Sequence, residues 1–423
     1  MWLRLAAWAA LALACCDVAA AQASPTLTLD DAFARVADSH PELRLLGARH
    51  EVLAAGLDAA ALRPPLVAGV ELENAFGSGG ARGLDGAELT LTLASVIERG
   101  GKLDARRTLA RSRIDALAVE RETVRFDLLA EVARRYLAIV AARGHGRIAE
   151  IDIEQRTRTV AAARRRLEAG ASPESVLLAA EAALARAELE RACDEQAARN
   201  ARQRLAALWG ERSPTFDVAV VDPTMLPDIG EADALVSLLD ATPELARFAD
   251  QRRIAEARLQ LARADASTDV SWQLGVRRLE ASGDTALVGS VSVPLGASRR
   301  AQPAIREAEA ELAVLDVERE ARGMALQATL LEAHGRYRLG QLEVRRLRDD
   351  VLPRLAKAGS AAEHAYRNGA TSYLEWSQLQ SESTAARRRQ LDAALEAQRA
   401  LIELQRLTGQ SLVAASPAQG AMP

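Results

Sequence analysis

Apolar and polar positions alternate in four short runs, set in pairs between long stretches without such alternation. In the first run Val70, Leu72 and Phe76 fall on one side, Glu71 and Glu73 on the other. In the second, Leu89, Leu91 and Leu93 alternate with Glu88, Thr90 and Thr92. Val270, Trp272, Leu274 and Val276 share one side of the third, over about 270–279. Val291 and Val293 alternate with Ser290 and Ser292 in the fourth, over about 287–295. A period of two marks a strand with one apolar face. Gly77 to Gly83 reads as a loop between the first two strands.

The remainder reads as helix. Thr28 or Asp30 can cap a first helix that runs to about Leu62, with Pro41 able to interrupt it and Arg63-Pro64-Pro65 stopping it. Residues 103–167 hold no proline, and a helix over them would extend roughly 98 Å at ~1.5 Å per residue. Gly170-Ala171-Ser172-Pro173 turns the chain, with Ser172 as cap and Pro173 in the first helical position. A shorter helix then ends near Leu208-Trp209-Gly210. After the third and fourth strands a long helix covers about Ser298 to Arg367, with Pro303 early in it and a kink at Pro353. The turn Asn368-Gly369-Ala370-Thr371 leads to a last helix ending at Thr408-Gly409.

This order occurs twice. His40-Pro41-Glu42-Leu43 returns as Thr242-Pro243-Glu244-Leu245, Val119-Glu120-Arg121-Glu122 as Val317-Glu318-Arg319-Glu320, and Gly170-Ala171 as Gly369-Ala370, all about 200 residues later. The expected organisation is a first repeat over 24–210, a linker over 211–230 that carries Pro214, Pro223 and Pro227, a second repeat over 231–409 whose first helix spans about Ala232 to Ala266, and a loose tail over 410–423.

Residues 1–23 read as a secretory signal peptide: Arg4 is basic, residues 5–14 are apolar but too short to span a bilayer, and Ala19-Ala20-Ala21 and Ala21-Gln22-Ala23 fit small-x-small cleavage sites. The rival is lipidation at Cys15 or Cys16, although Ala12-Leu13-Ala14 is not the usual lipobox order. Cleavage leaves Cys193 alone, so no intramolecular disulfide forms. Hydrophobic residues make up 49% of the chain and aromatics 3%, an Ala- and Leu-rich composition suited to closely packed helices. The net charge is −4 from 54 basic and 58 acidic residues, which argues against nucleic acid as a partner. The runs Arg164-Arg165-Arg166 and Arg387-Arg388-Arg389 read as solvated helix faces.

Four strands, apolar on one side and polar on the other and each near the ~9–11 residues of a tilted membrane strand, suggest a sheet between lipid and water. They cannot close a barrel of that kind, and hydrocarbon does not tolerate an open edge. Such a sheet closes by association with copies of itself, which makes an oligomeric conduit the physical reading.

The duplicated helix–strand–strand–helix–helix order resembles the TolC family of outer-membrane efflux proteins over nearly the whole mature chain. Glu71-Leu72-Glu73-Asn74, Glu88-Leu89-Thr90-Leu91 and Ile97-Glu98-Arg99-Gly100-Gly101-Lys102 resemble its CzcC-like, heavy-metal branch. The turns Leu167-Glu168-Ala169-Gly170 and Tyr366-Arg367-Asn368-Gly369 are similar to the family's periplasmic hairpin tips. The resemblance implies a mainly α fold with a small β part, in which each chain of a homotrimer gives four strands to a shared 12-stranded β-barrel and its helices to a long α-helical barrel. It also implies a passive duct in the outer membrane, its helical part in the periplasm, working with a periplasmic adaptor and an inner-membrane RND pump.

No catalytic constellation stands out. His40, His50, His145, His334 and His364 form no metal-ligand spacing, so neither a cofactor nor a metal site is expected. The candidate site residues lie at the tips, where Glu168, Gly170, Ser172, Tyr366, Arg367, Gly369 and Thr371 either line a gate, meet an adaptor or simply make a turn; Arg367 and Glu363 could equally form an intrahelical pair. Glu73, Asn74, Gly100, Gly101 and Lys102 are the family-motif positions. Within the duct reading the cargo is metal cations, with drugs or other small molecules as the alternative; a periplasmic adaptor or coiled-coil structural protein is the rival class.

Overall fold

The computed structural model describes residues 26–219 and 221–410; the predicted leader, with Cys15 and Cys16, and residues 411–423 of the predicted tail lie outside them. In chain order the elements are β1 (Thr26–Leu27), α1 (Leu29–Ser39), α2 (Pro41–Ala60), β2 (Val67–Glu73), β3 (Glu88–Ile97), α3 (Lys102–Glu168) and α4 (Glu174–Ala206). After these come β4 (Asp217–Val218), α5 (Ala232–Val236), α6 (Pro243–Asp265), β5 (Val270–Leu279), β6 (Asp284–Ser292), α7 (Ala297–Arg346), α8 (Leu352–Arg367) and α9 (Tyr373–Thr408).

Local chemistry sets the boundaries. Thr28 caps α1 in a reciprocal box: its Oγ1 accepts from the Asp31 amide at 3.1 Å, and its own amide donates to Asp31 Oδ2 at 3.0 Å. Proline disfavours the helical conformation in the residue before it. His40 (ψ 129°) and Thr242 (ψ 149°) are accordingly extended, and new helices begin at Pro41 and Pro243. The single helix expected over Ala232 to Ala266 is therefore split into α5, a 3₁₀ turn at Leu239–Ala241, and α6. The kink expected at Pro353 is a π-turn over Leu347–Val351, a widening that accommodates a ring with no N–H to donate. Pro173 is extended (ψ 155°) and stands at the cap of α4 rather than inside it, so Ser172 lies one residue outside the cap.

The chain divides into two compact units, and each sequence repeat contributes to both. Among the described residues, one comprises 26–40, 129–219, 221–227 and 336–402. Its core is rich in alanine: Ala149, Ala163, Ala394 and Ala397 are fully buried, with Val132, Ile139, Leu205 and Tyr337. Small side chains let helices approach closely, and a Cβ on Gly340 would lie 2.8 Å from Ala397 Cβ and 2.9 Å from the Ala393 carbonyl oxygen. In this unit β1 and β4 pair in parallel through two residues each, and Tyr136 Oη donates to the Leu27 carbonyl at 3.2 Å. Strands so short carry no periodic signal, and sequence patterning does not find them.

The other unit comprises Pro41–Leu128, Asp228–Gly335 and residues 403–410. It holds an antiparallel sheet in the order β2-β3-β5-β6, so the strands of the two repeats lie side by side and β3–β5 is the joint between them.

Candidate functional site

The register of the sheet sorts its side chains into two faces. Val70, Leu91, Val276 and Leu287 form one cross-strand row, and Leu93 pairs with Leu274 and Trp272 with Val291 on the same side. These apolar groups are uncovered: Leu287 is 88% exposed, Val70 73% and Leu274 63%. Burying one such side chain stabilises by roughly 1.5–3 kcal/mol, so a face of them left open is a contact surface. The opposite face carries Glu71, Glu73, Glu88, Thr90, Gln273 and Arg277. The Arg277 guanidinium lies 2.9 Å from Glu73 and 2.8 Å from Glu88, and Asn74 Nδ2 donates to Glu88 Oε1 at 3.0 Å. The motif positions Glu73 and Asn74 thus belong to one ion-paired cluster. β2 and β6 are the two edges of the sheet.

At the other end of β3 the glycine pair makes a joint. Gly100 and Gly101 both have positive φ, 75° and 73°. A Cβ on Gly100 would come within 2.4 Å of Ser267 Cβ, so a glycine is what lets the two chain segments approach this closely. The next residue, Lys102, is buried and reaches Asp269 Oδ2 at 2.8 Å, while the Arg99 amide donates to Asp269 Oδ1 at 3.1 Å. Burial alone would raise the Asp269 carboxyl; the bonds from Lys102 and the Arg99 amide outweigh it and hold it below the usual carboxylate range. Arg106 Nη2 binds Glu98 Oε2 at 2.8 Å, and that hydrogen bond lowers the Glu98 carboxyl. Asp269 and Arg277 stand outside the residues that sequence reasoning singles out. Their only signal is a charge next to or within the polar phase of a strand, and register decides what such a charge meets.

The two tips close with the same hydrogen bonds. Gly170 (φ 68°) and Gly369 (φ 78°) take the left-handed conformation that ends a helix. The amides of Ala171 and Ala370 donate to Arg166 and Ala365 carbonyls at 2.8 Å each, and those of Gly170 and Gly369 to Leu167 and Tyr366 at 2.9 and 3.1 Å. The copies differ at the start of the next helix. Ser372 Oγ accepts from the Glu375 amide at 3.2 Å and Thr371 Oγ1 donates to the Glu375 carboxylate, whereas Pro173 offers no side-chain cap. Glu168 and Arg367 are exposed at their helix ends, and Arg367 pairs with Glu363 on its own helix.

Tyr366 is the buried member of the tip set, stacked on Trp376 with ring centroids 5.1 Å apart. The Arg166 guanidinium lies 4.8 Å from the Tyr366 ring centroid and donates to the Tyr366 carbonyl at 2.6 Å and the Ala171 carbonyl at 3.3 Å. It therefore ties one hairpin turn to the other. Burial pushes the Tyr366 hydroxyl up, against the opposing pull of Arg166 and Ser172. Only part of the run Arg164-Arg165-Arg166 is a solvated face: Arg164 is exposed and pairs with Glu181, while Arg166 turns inward.

Among the described residues no three His, Cys, Asp or Glu side chains gather as a metal site, and no helix is long and apolar enough to cross a membrane. His334 contacts the Gly230 carbonyl at 3.1 Å, and His145 lies 3.1 Å from Asp392.

Residues 5–211 match the family model described as outer membrane efflux protein. Over that stretch, just under half of its length, the chain is similar to this family. Its fold is that of CusC, on which it superposes with a TM-score of 0.74 at 19% identity, over 90% of this chain and 91% of that one. It superposes on VceC of Vibrio cholerae with a TM-score of 0.74 at 17% identity, over 91% and 97%. In sequence it is 28% identical, over 74% of its length and 75% of the relative's, to the cobalt-zinc-cadmium resistance protein CzcC of Cupriavidus metallidurans.

Proposed function

We propose that the chain is the passive outer-membrane exit duct of a tripartite efflux system that carries heavy-metal cations. The observation that supports this most strongly is the open four-stranded sheet with an uncovered apolar face and a charged opposite face. In the proposed assembly three copies join β6 of one to β2 of the next, the apolar face meets outer-membrane lipid, and the polar face lines the passage. The helical part lies in the periplasm and meets an adaptor protein, and an inner-membrane RND pump supplies the energy. The similarity to a cobalt-zinc-cadmium resistance protein favours metal cations over drugs as cargo.

The proposed gate lies at the tips, where Glu168, Gly170, Ser172, Tyr366, Arg367, Gly369 and Thr371 flank the two turns. It opens when a partner offers better contacts than the two hairpins offer each other. Conductance in planar bilayers tests the duct: a chain that forms neither trimer nor pore would sink it. Tolerance of a deletion strain to zinc, cadmium, cobalt, nickel, copper and silver tests the cargo. Unchanged metal tolerance with increased drug sensitivity would transfer the reading to small-molecule export.

A further inference from the structure

Arg143 and Arg147 lie one turn apart on α3, and Arg199 and Arg202 lie three positions apart on α4, spacings at which like charges repel. All four line one cleft of about 880 Å³, bounded on a third side by residues 217–219 and 221–223. The carboxylates of the cleft do not relieve the repulsion. Asp217 is taken by Arg143, which also donates to the Val218 carbonyl at 2.8 Å. Glu150 and Glu195 lie 3.7 and 3.1 Å from Arg191, and Asp222 accepts from the Thr224 amide at 2.9 Å. The charged neighbours of Asp194 are His145, Arg388 and Glu190, none of which lines the cleft. Arg199 donates to Gln196 Oε1 at 2.7 Å. Among the described residues, neither Arg147 nor Arg202 meets a carboxylate, and Arg202 Nε is buried without a partner. Burial pushes the Arg143 guanidinium down, and the charges of Arg202 and Arg147 push it further.

We infer that this cleft binds an oxyanion, of the phosphate or polycarboxylate class, between Arg147 of α3 and Arg202 of α4. Guanidinium groups hold such anions through paired N–H donors. Arg143 shows the chemistry already, because its guanidinium holds the Asp217 carboxylate; it adds charge to the site, while Arg147 and Arg202 add free donors. The cleft is larger than one inorganic ion needs and falls within the roughly 300–1,000 Å³ of organic ligand sites, which favours a polyanion. One such ligand bridges the two helices and relieves the repulsion on both. The cleft lies in the unit that lacks the four-stranded sheet, so the inference stands independently of the proposed duct.

The test is isothermal titration of the full chain in detergent, in chloride at fixed ionic strength, with inorganic phosphate, pyrophosphate and citrate. At least one is expected to bind with a Kd below about 1 mM, and the identity of the tightest separates phosphate from carboxylate chemistry. Arg202→Gln and Arg147→Gln are each expected to weaken that binding at least about ten-fold. Arg204→Gln removes the same charge from an exposed position of α4 outside the cleft and is expected to change it less than about two-fold. Both cleft variants remove a repulsion, so their thermal midpoints without ligand are expected to equal or exceed that of the wild type. No binding of any of the three anions, or equal weakening by Arg204→Gln, overturns the inference. Midpoints lowered in both cleft variants without ligand would make these arginines structural and overturn it as well.

Discussion

Lys102 and Asp269 meet at 2.8 Å across the joint between the two repeats, although 167 positions separate them in sequence. Lys102 opens α3 and Asp269 immediately precedes β5, so the pair ties the strand-to-helix boundary of the first repeat to the helix-to-strand boundary of the second. Asp269→Asn leaves a largely buried ammonium without its charge partner and is expected to cost about 1–3 kcal/mol. The pH dependence carries the same signature. The folded-state pKa of Asp269 lies below the ordinary value of 3.8, so its contribution is complete above that value and is lost as pH falls toward the folded-state one. Thermal unfolding followed between pH 7 and 3 checks both points, and the variant is expected to lose less stability on acidification than the wild type.

The tip residues are expected to differ in weight. Arg166→Ala removes two bonds to carbonyls and the stacking on Tyr366, and is expected to raise single-channel conductance and speed proteolysis at the 168–173 turn. Arg367→Ala removes an exposed pair within one helix, worth about 0.5 kcal/mol or less, and is expected to change neither. Equal effects from the two variants would count against Arg166 as the tie between the hairpins.

Two helical glycines in α7 give opposite expectations. Gly340→Ala places a methyl against Ala397 and the Ala393 carbonyl and is expected to destabilise by about 1–3 kcal/mol. Gly335→Ala meets nothing within 4 Å and is expected to stabilise by about 0.4–1 kcal/mol. Paired thermal melts separate close helix approach from helix propensity.

Adjacent residues on β5 test the two faces of the sheet. Leu274→Lys puts a charge on the apolar face and is expected to cost about 2–4 kcal/mol in a bilayer, abolishing membrane insertion. Gln273→Lys, one residue away on the polar face, is expected to insert normally. Fractionation and heat-modifiability on gels read the outcome.

How much of the fold is legible in the sequence depends on the range of the interaction. The alternation of Leu89, Leu91 and Leu93 with Glu88, Thr90 and Thr92 announces a two-faced strand because side-chain direction is local to the backbone. Pro41, Gly170 and Gly369 announce their break and turns for the same reason. The partners of Lys102, Arg166 and Arg277 are not legible. Each depends on the register of segments brought together from opposite repeats, which no local pattern encodes. The break before Pro243 is a different case, because its signal is local. It is the repeat-mate of the break at Pro41, and the single helix expected over Ala232 to Ala266 ignores the same proline chemistry.

The strand order has a consequence for assembly kinetics. A ring built from separate two-stranded hairpins would need every joint to form by collision. Here β3 and β5 are carried on one polypeptide, where their effective concentration is set by the chain and not by how much protein is present. In any ring of such four-stranded chains, half of the joints form at a rate independent of dilution. Only the other half has to wait for a neighbour.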